Sequence, residues 1–151
     1  MGSSNRSIAE FISLLRGNGI RALVDVRRHP VSTRYPHFSG EALARALRRA
    51  GIRYLHLGED LGGFRPGGFE AYMATAAFAA GLRTLEFAAG RTPTAIMCAE
   101  RLPWQCHRRF IGAALGRRGW SVVHLIEADQ RWSPGDPESP ELPLGEPPSA
   151  E

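Results

Sequence analysis

The densest run of reactive side chains in this 151-residue chain is C-A-E-R-L-P-W-Q-C-H-R-R, from Cys98 to Arg109. It gathers two thiols, a carboxylate, an imidazole and three guanidinium groups. Cys98 and Glu100 are two residues apart at the end of an apolar run, so on a strand they share a face. His107, Arg108 and Arg109 fall at the start of a helix expected from Pro103 to Arg118, with proline in its first turn. Cations there oppose the helix dipole by ~0.3–1 kcal/mol each. An anion held jointly by the Arg side chains and the helix-end N–H groups offsets that cost, which makes Arg108 an anion-binding candidate. The competing reading pairs Arg108 with Glu100 as a brace for the loop. A thiol beside Arg or protonated His has a lowered pKa, so Cys98 and Cys106 are both candidate nucleophiles, with Glu100 or His107 as proton partner. Against this, a cysteine in an apolar strand or on a core-facing helix stripe is often a small hydrophobe. No metal site is expected, because C-x-x-C spacing is missing and neighbouring helical residues diverge by about 100°.

A second constellation follows the run ALVDV. Asp25 and Arg27 share one strand face, with Arg28 and His29 just beyond. Asp25 beside Arg27 is expected to stay ionised and to act as orienter or base. His56 ends another apolar stretch, and is read either as an acid/base group or as a histidine packed under the loop that follows. In that loop, Gly62 and Gly63 allow backbone to approach a ligand or to turn tightly. Ser32, with Gly62 and Gly63, is a candidate for binding the anion, and His37 and Phe38 lie in a long segment from His29 to Ser39, expected to form a lid.

The elements that must position these groups alternate along the chain. Ser7 and Glu10 form a capping box for a helix carrying Ile8, Phe11, Ile12 and Leu15 on one face, stopped by Gly17 and Gly19. Ala22–Val26 reads as a buried strand. Ser39 is expected to cap a second helix with Leu43, Ala46, Leu47 and Ala50 on one stripe, ended by Gly51. Residues 52–57 form the next strand, and a Gly-rich loop spans 58–68. A third helical region covers about 69–89 with a break near Gly81. Residues 94–99 and 121–127 are the remaining strands. This order defines a single three-layer α/β domain over residues 1–132, with an open, mostly parallel sheet of about four strands and helices on both faces. In such a sheet ligands sit beyond the carboxyl ends of the strands, where every candidate above falls.

Composition bounds the rest. All nineteen basic residues are Arg, and residues 133–151 hold five acids and no base, so residues 1–132 carry a net charge of +9. The 133–151 segment also holds six of the eleven prolines, and is expected to be a disordered acidic tail. A basic body suits an anionic partner such as a nucleotide or nucleic acid; the alternative is an Arg-rich solvated surface. No charge-free stretch reaches the ~20 residues a membrane helix needs. Two cysteines exclude a disulfide framework and point to a cytoplasmic home, which argues against a permanent Cys98–Cys106 bridge.

Three motifs carry a resemblance. D-V-R-x-x-P-x-S at Asp25–Ser32, Tyr54–Leu57 followed by Leu61-Gly62-Gly63, and C-x-E-x5-C-H-R at Cys98–Arg108 with Val123-His124 resemble the bacterial and archaeal family called domain of unknown function 488. The match covers about residues 2–127. The resemblance implies an α/β architecture and supports the same site, without supplying a reaction, a cofactor or an oligomeric state. It departs at Gly2-Ser3-Ser4-Asn5-Arg6, where the family has a strand ending in G-H-S-x-R and Ser3 replaces the His. Function is therefore read three ways. The first is an enzyme acting on a phosphate-bearing substrate, with Arg27 and Arg108 on the anion and Asp25 and Glu100 handling protons. The second is a thiol enzyme for sulfur transfer or redox work. The third is a non-catalytic nucleic-acid-binding module.

Overall fold

A computed structural model describes residues 5–63, 65–98, 108–127 and 130–132. Ser7 ends the entering chain, its Oγ accepting the Glu10 N–H at 3.0 Å, and α1 runs Ile8–Gly17. Asn18 and Gly19, the latter at φ 71°, turn the chain into β1, Ala22–Asp25, which is buried along its whole length. A 3-10 turn at Pro36–Phe38 leads into α2, Gly40–Arg49. Then come β2 (Arg53–His56), the short helices α3 (Gly58–Leu61) and α4 (Phe69–Tyr72), the long α5 (Ala76–Arg91) and β3 (Thr94–Met97). The described chain continues with α6 (Arg108–Arg117), β4 (His124–Glu127) and β5 (Gln130–Trp132).

The three parallel strands lie in the order β2-β1-β3, with Asp25 level with His56 on one side and with Met97 on the other. Helices cover both faces, as a parallel sheet requires. On one face α1 and α2 press Phe11, Leu14, Leu15, Leu43 and Leu47 onto Leu23, Ala95 and Met97. On the other, α3, α5 and α6 pack Leu61, Phe78, Leu82, Leu85 and Ile111 against Val24, Val26 and Cys98. Each fully buried Val, Leu, Ile, Phe or Met among them stabilises the fold by about 1.5–3 kcal/mol. This is the expected α/β class.

Several expectations need correction. Among the described residues the parallel sheet has three strands, where about four were expected. The fourth expected strand is β4, and its observed pairing is antiparallel, with β5. Two residues separate β4 from β5, so that pairing closes a much shorter loop than a return to the sheet. The third helical region does not break at Gly81, which lies inside α5. A Cβ there would come within 2.8 Å of Asp60 Cβ and 2.9 Å of Leu61, so the missing side chain lets α5 lie close on α3. The break is at 73–75, where Thr75 takes over as cap: its Oγ1 donates to the Tyr72 carbonyl at 2.7 Å and accepts from the Phe78 N–H at 3.3 Å. The Gly-rich loop begins as α3.

Ser39 precedes α2 but its side chain does not cap it. Ser39 Oγ instead accepts the Ser32 N–H at 3.1 Å, and so folds the His29–Ser39 segment back on itself. Nor is that segment a free lid, since Phe38 is 1% exposed and meets Phe11 edge-on at 5.1 Å. The start of the expected Pro103 helix and the acidic tail lie outside the described residues. None of the described helices is long and apolar enough to cross a membrane.

Candidate functional site

The site grows from the last residue of β1. Asp25 is fully buried, and both its oxygens are occupied. Oδ1 accepts the Arg27 backbone N–H at 3.0 Å and Nε at 2.9 Å. Oδ2 accepts Arg27 Nη2 at 2.7 Å and the Tyr54 hydroxyl at 2.6 Å. A carboxylate has about four acceptor positions, and here all four are filled. The arrangement fits Asp25 as the orienter of Arg27 and leaves no lone pair for a base. The fork-to-carboxylate pair fixes the guanidinium, whose Nη1 donates to none of the described residues.

Tyr54 comes from the neighbouring strand, level with Leu23 and on the same face as Asp25. Burial first, then the hydrogen bond to Asp25 and its negative charge, hold the Tyr54 hydroxyl well above the usual tyrosine range. The hydroxyl therefore stays protonated and donating.

His56 stands two residues on, on the same face, with Nε2 2.6 Å from the Arg27 carbonyl oxygen. A carbonyl can only accept, so Nε2 carries the hydrogen and Nδ1 is the nitrogen left for proton exchange. The contact is tight because the chain after His56 enters α3 directly under Arg27. A Cβ on Gly58 would lie 1.8 Å from the Arg27 carbonyl oxygen and 2.5 Å from His56 Nε2. Gly58→Ala is expected to cost about 2–3 kcal/mol in urea denaturation, because backbone and not a flexible side-chain end must give way. Gly17→Ala, whose Cβ would meet nothing within 4 Å, is the matched control and should be neutral or stabilising. Equal stabilities for the two variants would refute this account.

The glycines singled out in the sequence serve the protein's own packing. A Cβ on Gly62 would meet the Gly58 carbonyl oxygen at 2.3 Å and Arg28 Cβ at 2.7 Å. Gly63 is buried beside it. Arg65, which sequence reasoning passed over, closes this turn. Its Nε donates to the Gly62 carbonyl at 2.8 Å, its Nη2 donates to the carbonyls of Gly58 and Glu59, and its guanidinium lies 3.9 Å from the centre of the Tyr72 ring. Ser32 Oγ accepts the Tyr35 N–H at 3.1 Å, shaping the loop above the site. His37 donates through Nε2 to the Arg6 carbonyl at 2.9 Å, and Arg6 itself is only 3% exposed. A buried arginine so near the chain start carries no local periodic signal. Only the family resemblance, through its G-H-S-x-R pattern, drew notice to that position.

Cys98 stands apart from this cluster. It is 2% exposed and belongs to the core of the opposite face, with Val26 and Ile111. It is disulfide-bonded, and the only other cysteine in the sequence is Cys106. The expectation drawn from compartment, against a permanent bridge, is not met: Cys98 is bonded in this structure. Cys98 is no free thiolate in this state.

Glu100, Cys106 and His107 lie outside the described residues, and Arg108 opens α6. Its neighbour Arg109 lies with its guanidinium 4.6 Å from the Phe110 ring centre, while its buried Nε has no hydrogen-bond partner among the described residues. Among the described residues no group of three His, Cys, Asp or Glu side chains could hold a metal ion.

A parallel α/β domain with a buried Asp–Arg–Tyr network at the carboxyl edge of its sheet is the class this geometry defines. Residues 7–115 match the family described as Domain of unknown function DUF488, and the chain belongs to that family. No curated protein and no solved structure matches it.

Proposed function

We propose that the chain is an enzyme acting on a phosphate-bearing substrate, a nucleotide or nucleic acid, at the carboxyl edge of β1 and β2. The observation that carries this reading is the Arg27 guanidinium, held rigidly by Asp25 and Tyr54, beside a histidine whose Nδ1 faces no described partner. A fixed donor spends no energy reorienting when charge develops on a phosphoryl oxygen. Arg27 Nη1 would hold the anion, and His56 Nδ1 would take and return the proton at the reacting oxygen. Asp25 and Tyr54 are positioning residues in this scheme.

Arg27→Lys tests the scheme. Lysine keeps the charge beside Asp25 but loses the fork. Inorganic phosphate titrated by calorimetry should bind at least tenfold more weakly to this variant, with the circular dichroism spectrum unchanged. Equal affinity in the two proteins would sink the reading. His56→Gln should spare phosphate binding and abolish turnover once a substrate is in hand.

A second reading rests on the disulfide at Cys98. A dithiol/disulfide pair at the end of β3 could oxidise two small-molecule thiols to their disulfide while both cysteines take up a proton and become free thiols. The burial of Cys98 works against this reading. If it holds, thiol counting on native protein in millimolar glutathione should show two thiols released within minutes; release only over hours or on unfolding would mark a structural bridge. Cys98→Ser that retains every activity of the wild type would end this reading.

A further inference from the structure

The outer side of α2 and the edge of β2 carry an unbalanced charge that the site does not use. Arg45, Arg48 and Arg49 lie on the exposed side of α2 at spacings of three and four residues, and Arg53 opens the exposed edge strand β2. None of the four makes an ion pair with a described residue. Elsewhere the fold does pair its arginines: Arg118 reaches Glu86 at 2.6 Å on the other side of the sheet. Arg45 and Arg49 are one turn apart, a like-charge spacing that costs a helix about 0.2–0.5 kcal/mol. The dipole of α2 favours cations in its last turn, which accounts for Arg48 and Arg49 but not for Arg45.

Between helix and strand runs a groove of about 330 Å³ lined by Ala44, Arg48, Gly51, Ile52, Arg53 and Tyr54. Arg48 and Arg53 flank it, and Tyr54 is its aromatic wall. The same Tyr54 reaches Asp25 with its hydroxyl, so one side chain is shared by the groove wall and the Asp25–Arg27 network. Guanidinium groups for phosphates beside an aromatic wall for a base are what a single strand of nucleic acid uses.

We propose that the α2–β2 face binds a nucleic-acid strand and leads it to the carboxyl-edge site. This rests on the reading of that site as one for phosphate-bearing substrates, and narrows it from nucleotides to polynucleotides.

The test uses the full chain and a fluorescein-labelled single-stranded 20-nucleotide DNA, with anisotropy measured from 50 to 300 mM salt. Wild type should show a steep loss of affinity with salt. Each lost phosphate contact lowers the slope of log affinity against log salt by about 0.7. The double variant Arg48→Gln, Arg53→Gln should therefore flatten that slope by about 1.4 and weaken binding at least tenfold near 100 mM salt. Arg83→Gln, on exposed α5 surface across the sheet, should change affinity less than threefold. A double variant indistinguishable from Arg83→Gln overturns the proposal, as does a flat salt dependence in wild type. Heparin that competes as well as unlabelled strand at equal charge also overturns it, since the face would then read only charge. Failure of the site is separable. If inorganic phosphate does not bind yet the double variant loses the strand, the surface stands and the enzyme reading falls. If Arg27→Lys loses phosphate while strand binding ignores Arg48 and Arg53, the surface alone falls.

Discussion

Asp25→Ala is expected to destabilise the protein by about 3–5 kcal/mol, the range found when one partner of a buried ion pair is removed. The residue is fully buried and Arg27 is 8% exposed, so the guanidinium cannot swing into water once its partner is gone. The Tyr54 hydroxyl loses its acceptor at the same moment. Asp25→Asn is not a rescue, because its amide nitrogen would face an Arg27 donor in either orientation. Urea denaturation of both variants checks this. A loss below 1 kcal/mol in each would mean that the network contributes little to the fold.

The same network sets a response to alkali. The Tyr54 hydroxyl is raised above its ordinary value of 10.0 in the folded chain. Between that value and the raised one the unfolded chain gives up the proton first, so the native state holds more protons and stability falls as pH rises. The contribution is complete below about pH 10 and is lost progressively above it. Tyr54→Phe should remove this part of the alkaline slope. An unchanged slope in the variant would assign the effect to other groups.

Phe38→Ala is the second large effect, with an expected cost of about 3–5 kcal/mol as for other buried phenylalanines. Phe38 is 1% exposed and packs edge-on against Phe11, which joins the segment after β1 to α1. The variant should also loosen the turn held by Ser32 and Ser39. Amide exchange at Ser32 and Tyr35, both bonded within that turn, should then accelerate far more than exchange in β1. Uniform acceleration across the chain would mean that Phe38 supports the whole fold and not this segment in particular.

What could be read from the sequence follows physical range. The start of α1, the buried run of β1 and the stripe of α2 depend on neighbours within a few residues, and each is where the spacing puts it. The break between α4 and α5 escaped because Gly81 is the more conspicuous residue. Its missing side chain answers to α3, about twenty residues earlier, and nothing local records that. The Tyr54–Asp25 bond joins residues 29 apart across two strands, so no periodicity announces it. Asp25, Arg27 and His56 were legible because the end of a parallel strand is a place, and any polar residue there is conspicuous. That Cys98 lies on the other side from Asp25 depends on register: Asp25 is level with Met97, and Cys98, the next residue, points the opposite way. Alternation fixes which residues share a side within one strand, but not between strands.

The bond from His56 Nε2 to the Arg27 carbonyl has a consequence for how a proton could travel. Both charge states of the imidazole keep a hydrogen on Nε2 when that nitrogen is anchored to a carbonyl, so only Nδ1 changes. The ring can therefore be loaded and emptied without flipping, and the backbone at Arg27 feels no rearrangement between the two states. In imidazole nitrogen spectra the neutral ring would show a protonated Nε2 and a bare Nδ1, and the reverse assignment would refute the anchoring.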